Sequence, residues 1–392
     1  MTLEALARDC REDPSLEALG RLLPRDCGGE SLFSKPFRVL HAVSDLYTAR
    51  TALSLGFDLG WEQPLRRGAS ADELLAGFRP PSKVPAEWIL RFLAEKDMLV
   101  REGSRYRLDG SPSLDLQELR ALAEQEAPGR LQSLDLLDAV RSHIRPYFTE
   151  GRSGDACLFD LAVFPLWLEY FRNENILYRS NNQFALTALR DSLKPSFRIL
   201  ELGGGAGSFA QLLGSTCAGT GELGNIAEYR FTDIAPTFLR RAQRGLRDLA
   251  PGIPFSFGSL DINRSLDDQG LAGSSFDAIV GINVLHVAKR LGSTLPDLKR
   301  HLVPGGHLIL GECLKPDLAR PIYLEFIFQF MSSFTEVETD PDLRPTHGFL
   351  TPEAWIRILE AAGFRDVHDI PDVRAVMDRF PAFYVGAFSA AN

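Results

Sequence analysis

The sequence predicts an α/β protein: a doubly wound, largely parallel sheet in the C-terminal half, with a helical part in front of it. Three observations carry this. From residue 197 onward, short apolar runs alternate with segments of helical periodicity, the rhythm of successive βαβ units. Before that point apolar residues recur mostly at helical intervals, and strand patterning is confined to one short hairpin. Between the two lies Arg198-Ile-Leu-Glu-Leu-Gly-Gly-Gly-Ala-Gly-Ser-Phe-Ala210, an apolar run, a glycine turn and a helix start in that order.

Taken in order, residues 1–36 read as a helical arm built on Leu3, Leu6, Leu16, Leu19 and Leu22, broken by Pro24 and Cys27-Gly-Gly-Glu30. Val39 to Leu55 is expected as a long helix ending at Gly56. Ser70-Ala-Asp-Glu73 is a capping box ahead of Leu74, and Pro85 opens a helix through Trp88, Ile89, Phe92 and Leu93. Leu99 to Leu108 reads as a hairpin turning at Glu102-Gly103. Helices followed by a small hairpin make a winged-helix pattern, so 1–110 is taken as a helical arm and a winged-helix-like domain. Its third helix offers only Arg91 and Lys96 against Glu87 and Glu95, too little clustered positive charge for phosphate contacts. The alternative is an interaction domain, and because this unit presents apolar helix faces with too little chain to bury them alone, a homodimer is expected.

Residues 111–195 form a helical linker that is a candidate substrate-pocket region. In the aromatic run Leu158 to Phe171, Pro165 is expected to kink or break a helix. Tyr170, Tyr178, Asn181 and Asn182 stand just before the first core strand and are candidates to reach a substrate. The core, 196–392, has strands expected at Phe197–Leu200, Glu228–Asp233, Pro254–Phe257 and Phe276–Val280. A fifth follows the turn at Pro304-Gly-Gly306 and runs to Glu312. Thr351 caps a helix that ends at Gly363, and Phe380 to Phe388 reads as the last strand. The long segment 316–350 carries Ile322, Phe326, Phe328 and Phe330 and is expected to be part of a lid.

Composition narrows the classes. The 392 residues carry a net charge of −9 with no basic block, which argues against nucleic acid as a partner. No apolar run approaches membrane-spanning length, and the N-terminus lacks a signal-peptide pattern. Five irregularly spaced cysteines form neither a disulfide framework nor a metal-ligand pair, so a cytoplasmic setting is expected and no metal.

Ligands of doubly wound sheets bind beyond the carboxyl ends of the strands, and the unusual residues cluster there. Gly203, Gly205 and Gly207 let the backbone turn sharply and approach a ligand closely. Glu201, just before them, would repel a pyrophosphate but suits a ligand with an ammonium and a positive sulfur. Asp233, 28 residues after Gly205, can accept from two ribose hydroxyls or cap the next helix. Asp261, with Ile262, falls where an acceptor for an adenine amine belongs; Asn283 follows strand four. His286, at the end of Gly281-Ile-Asn-Val-Leu-His286, can pair with Glu312 on the neighbouring strand to make a base held in one tautomer. His347, in Pro345-Thr-His-Gly348, is a second pocket candidate.

The string Glu201-x-Gly203-x-Gly205-x-Gly207 resembles the first motif of class I S-adenosylmethionine-dependent methyltransferases, which implies a Rossmann-like methyltransferase domain and S-adenosylmethionine as cofactor. Phe231-Thr-Asp-Ile-Ala-Pro236, Leu260-Asp-Ile262, Asp268-Gln-Gly270, Asn283-Val-Leu-His286 and Pro304-Gly-Gly306 through Glu312 are similar to the C-methyltransferase domains of polyketide synthases. That similarity covers roughly residues 197–312. It implies that His286 and Glu312 work as a dyad removing a proton from a carbon between two carbonyls. The N-terminal unit instead resembles the dimerisation domain of small-molecule O-methyltransferases, which keeps hydroxyl oxygen open as the alternative to the carbon acceptor that the core motifs favour. The substrate implied is a small, polyketide-like metabolite, free or held on a carrier protein. Two readings stand beside this one: a methyltransferase fold catalysing another reaction, such as a cyclisation, and a winged-helix regulator.

Overall fold

In the computed structural model, residues 33–79, 82–273, 275–380 and 382–392 are described. The helical arm expected over 1–36 therefore lies outside them, except for its last four residues. The chain forms two compact units. One is built from 33–170 with 317–336, the other from 171–316 with 337–392.

The first unit is organised on α1 (Lys35–Asp58), followed by α2 (Glu62–Arg67), α3 (Ala71–Leu74) and α4 (Lys83–Glu95). The helix expected to stop at Gly56 continues to Asp58. Gly56 is needed there for close approach, not for termination. A side-chain carbon on it would lie 3.0 Å from the ring of Trp61, whose backbone N–H donates back to the Gly56 carbonyl. The capping box forms, with Glu73 N–H donating to Ser70 Oγ at 3.3 Å and Ser70 N–H to the Glu73 carboxylate at 2.9 Å. The hairpin is β2 (Val100–Glu102) and β3 (Arg105–Arg107), and a two-residue β1 (Ala69–Ser70) adds to it in the order β1-β3-β2. The hairpin's arginines are engaged locally. Arg105 pairs with Glu73, Arg107 with Asp109, and Arg101 donates to the Gly103 carbonyl.

Five further helices follow: α5 (Gln117–Glu126), α6 (Gln132–His143), α7 (Arg145–Thr149), α8 (Gly154–Leu158) and α9 (Phe164–Tyr170). The break in the aromatic run precedes Pro165 rather than falling on it. Pro165 sits in the first turn of α9, where its missing N–H costs no hydrogen bond. Segment 317–336 packs into this unit through a 3₁₀ turn, Tyr323–Phe328. Its Glu325 side chain accepts from Trp88 Nε1 at 2.9 Å and from Ile322 N–H, so the buried carboxyl group is bonded.

The second unit begins with α10 (Ile176–Ser192) and is a seven-stranded sheet. Its elements are β4 (Phe197–Leu202), α11 (Ser208–Thr216), β5 (Ile226–Asp233), α12 (Pro236–Leu249), β6 (Phe255–Ser259), β7 (Phe276–Ile282), α13 (Leu291–Arg300), β8 (Leu302–Cys313), α14 (Pro352–Ala361), β9 (Arg365–Ile370) and β10 (Val385–Ala391). The sheet order is β6-β5-β4-β7-β8-β10-β9, with β10 (Val385–Ala391) antiparallel to both its neighbours. Its inner strands are near-continuous apolar runs, Ala278 to Val280 and Leu308 to Leu310, because both faces are covered. Sequence order reverses between β4 and β7, so the crevice opens at the carboxyl ends of these strands.

After β8 the closing helix α14 (Pro352–Ala361) is capped by Thr351, whose Oγ1 accepts from Ala354 N–H. The edge strand β9 (Arg365–Ile370) was not expected. Its Arg-Asp-Val-His-Asp-Ile is mostly polar, as an exposed edge permits. The last strand starts later than Phe380 because Phe383 is spent on the core, edge-on to Phe184 at 6.1 Å. Among the described residues no helix is long and apolar enough to cross a membrane.

Candidate active site

The turn after β4 is a cradle that side chains would fill. Gly203, Gly205 and Gly207 all have positive φ. A side-chain carbon on Gly203 would meet Val284 at 2.7 Å, and one on Gly204 would meet the buried Phe231 ring at 2.2 Å. Gly204, part of the expected glycine turn but outside the spaced string of Gly203, Gly205 and Gly207, is thus the most tightly enclosed of the four. Its signal was present in the unbroken Gly-Gly-Gly, but only the fold reveals what presses on it.

Asp233 ends β5 and fastens this loop. Its two carboxylate oxygens accept from Gly205 N–H at 2.9 Å and from Ala235 N–H at 2.7 Å. Burial raises its pKa, opposed by those two backbone bonds. Each oxygen keeps a lone pair for a further donor. The next residue, Ile234, is a large apolar side chain 61% exposed at the same strand end. Sequence reasoning passed over it, although an apolar residue directly after the strand-ending Asp233 was legible.

Glu201 is buried, and Tyr229 Oη donates to its carboxylate at 2.8 Å. Burial pushes its pKa up to about 8, with the Tyr229 bond opposing and Asp233 adding to the shift. Tyr229, the partner of Glu201, was not identified from sequence, because the pairing runs across two strands. Asp261 accepts from Asn263 N–H, and Gln269 bonds both its backbone N–H and its carbonyl, so the loop bearing Asp261 and Ile262 is braced from within.

On the other side of the switch point, Asn283 directly follows β7 and has a φ of +53°. Its side-chain oxygen accepts from Cys313 N–H at 2.9 Å and from Asn181 Nδ2 at 3.1 Å. That oxygen therefore ties β7, β8 and α10 together. His286 follows in a short 3₁₀ turn, Leu285–Val287. Its Nδ1 lies 2.7 Å from Glu312 Oε2, and Leu285 N–H donates to Glu312 Oε1 at 3.0 Å. His286 is 4% exposed and Glu312 fully buried. A carboxylate only accepts, so the proton belongs on Nδ1 and Nε2 carries the lone pair. Phe349 packs its ring 4.8 Å from the imidazole at 63°.

The linker candidates divide. Tyr178 on α10 has its phenol raised by burial first, then by Cys313 and Glu201; its partners include Asn283. Asn181 joins the same group through Asn283. Asn182 is turned elsewhere: its Nδ2 donates to Asn173, which in turn donates to the Ser208 carbonyl at the start of α11. Tyr170 belongs to the first unit, edge-on to Trp167 at 6.0 Å. His347 is half-buried in the segment that leads to Phe349. Cys313 beside the dyad has its thiol raised by burial, with Glu312 adding to the shift, so it is no nucleophile.

Set beside known proteins, residues 200–308 match the methyltransferase domain family. A probable polyketide synthase 34 of Dictyostelium discoideum is 30% identical over 213 residues, 50% of this chain but only 7% of that synthase. The solved CurJ carbon methyltransferase superposes with a TM-score of 0.76 at 22% identity, covering 96% of each chain. The citrinin polyketide synthase CMeT domain gives 0.72 at 18% identity, covering 99% of this chain and 96% of that one. At these identities the superpositions establish the fold. Residues 200–308 are thus similar to a methyltransferase domain, within a chain that has the fold of these carbon methyltransferases.

Proposed function

We propose that the protein is an S-adenosylmethionine-dependent methyltransferase acting on a small, polyketide-like acyl substrate, with carbon as the methyl acceptor. The observation that carries this is the buried His286–Glu312 pair at the ends of two adjacent parallel strands, one strand away from the glycine cradle. The likeness to polyketide synthases and to carbon methyltransferases supports carbon over oxygen.

The residues fit the cofactor. Gly203, Gly204, Gly205 and Gly207 leave room where side chains would intrude, Asp233 has lone pairs for ribose hydroxyls, and Ile234 offers an apolar surface for the adenine. Glu201 would favour the ammonium group. Asp261 and Ile262 would meet the adenine edge, while Asn283 would contribute through the backbone it positions. When bound, S-adenosylmethionine supplies an electrophilic methyl group. The chain's own work is at the acceptor. His286 Nε2 takes the proton from the carbon between two carbonyls, and Glu312 stabilises the imidazolium that forms. Tyr178 and His347 remain the candidates for substrate contact.

The test is to incubate the full chain with methyl-labelled S-adenosylmethionine and the N-acetylcysteamine thioester of acetoacetate. The expected product carries the label on the carbon between the carbonyls, read by mass and carbon NMR. Label on oxygen would move the acceptor, and cofactor binding without transfer to any acyl thioester would overturn the reading.

A further inference from the structure

Residues 337–350 form a strap that grips the His286 turn at several points. Glu338 N–H donates to the Lys289 carbonyl at 2.9 Å, and the Glu338 carboxylate pairs with Arg290 Nε at 2.6 Å. Phe349 closes on the imidazole from the strap's far end. Between them Arg344 sends its guanidinium to the carbonyl of Ala288 at 2.6 Å and to that of His286. These carbonyls lie beyond the turn's own bonds, which run from Val287 N–H to Val284 and from Ala288 N–H to Leu285.

Arg344 is itself held in place. Reciprocal backbone bonds of 2.8 and 2.9 Å close the loop from Asp340 to Arg344, and the Asp340 carboxylate accepts from Asp342 and Leu343 N–H. Arg344 is 2% exposed and has no ion-pair partner among the described residues, and its Nε–H is unbonded there. Burial lowers its pKa to about 10, with attraction to Glu312 opposing. A buried cation without a counter-ion is unfavourable, and Arg344 borders a cavity of about 530 Å³ whose walls mix Leu291, Leu295 and Ile358 with Arg290, Glu338 and Asp340.

We propose that Arg344 is a positioning residue for the reaction at His286: by bonding the carbonyls of His286 and Ala288 it fixes the turn, and with it the orientation in which the imidazole meets Glu312. This rests on His286 being the base of the proposed methyl transfer. The charged and titratable groups around that pair are Glu312 and Cys313 on β8, Tyr178 on α10, and the Arg290–Glu338 pair on the strap side. Burial keeps Cys313 and Tyr178 uncharged and Arg290 is paired with Glu338, while Arg344 carries a charge that interacts with Glu312.

Arg344→Met and Arg344→Lys in the full chain separate placement from charge. With the acetoacetyl thioester, Arg344→Met should lower kcat by about 10- to 100-fold, the scale of a sub-ångström misplacement, while S-adenosylmethionine affinity stays within about twofold. The acid limb of its pH–rate profile should move to higher pH, because a cation opposing protonation of the dyad is gone. Arg344→Lys should lose rate with that limb in place. Wild-type kcat in both variants, or affinity falling in step with rate, overturns the proposal. If the wild type transfers no methyl group, the base reading fails, and Arg344 is judged by proton NMR instead. The Nδ1–H resonance of His286, identified by its loss in His286→Ala, should be protected in the wild type and broadened in Arg344→Met. An unchanged resonance sinks the positioning role.

Discussion

Glu201→Gln tests the electrostatics of the site without any substrate. Glu201 is fully buried, and its pKa rises from the ordinary 4.5 to about 8 chiefly because burial disfavours the charged form. The folded protein then keeps this proton while the unfolded chain has already lost it. The stability contributed is complete below about pH 4.5, falls through the window up to pH 8, and is gone above it. A shift of that size corresponds to roughly 4–5 kcal/mol across the window at most. Glutamine has the same shape, can still accept from Tyr229, and cannot ionise. The mutant and the wild type should therefore be nearly equally stable at pH 5, with the mutant gaining by several kcal/mol at pH 8. Urea unfolding at matched pH values reads the difference directly, since the shifts of Asp233, Asp45 and Asp369 are common to both proteins. Parallel stability curves between pH 5 and 8 would refute the reasoning. The same substitution removes the charge proposed to favour the cofactor's ammonium, so calorimetry at pH 8 should show affinity falling about tenfold.

His286→Ala should leave S-adenosylmethionine affinity nearly intact while transfer falls by about 10²–10⁴-fold in single-turnover assays, with Glu312→Gln between it and the wild type. Asp233→Ala should weaken cofactor binding by about 1–3 kcal/mol in calorimetry, through lost ribose contacts and a loosened Gly205. Gly204→Ala should cost about 1–3 kcal/mol in thermal unfolding and abolish cofactor binding, because its side chain would stand 2.2 Å from the buried Phe231 ring. For assembly, light scattering should report a homodimer; a steady mass near 43.5 kDa over a wide concentration range would exclude it.

What the sequence by itself determined is local or periodic. The inner strands are legible as apolar runs because they are buried on both faces, and the glycine turn because its repeated positive φ strongly favours glycine. The capping box at Ser70 forms as read, since its bonds join residues three apart. His286 and Glu312 could be placed together because both stand at the carboxyl ends of adjacent strands. Edge strand β9 escaped notice because exposure removes its apolar alternation, and Gly56 misled because its role is to admit Trp61, a contact no helix pattern encodes. Tyr229 under Glu201 and Arg344 behind His286 act across 28 and 58 residues. Neither pairing leaves a periodic trace. Asn181 and Asn182, adjacent in sequence, found different partners for the same reason: which face of α10 meets β7 and β8 is decided by packing. Only the tertiary structure decided these, since a buried charge or amide takes its partner from whatever the fold brings within hydrogen-bond reach, and chain order carries no record of that proximity.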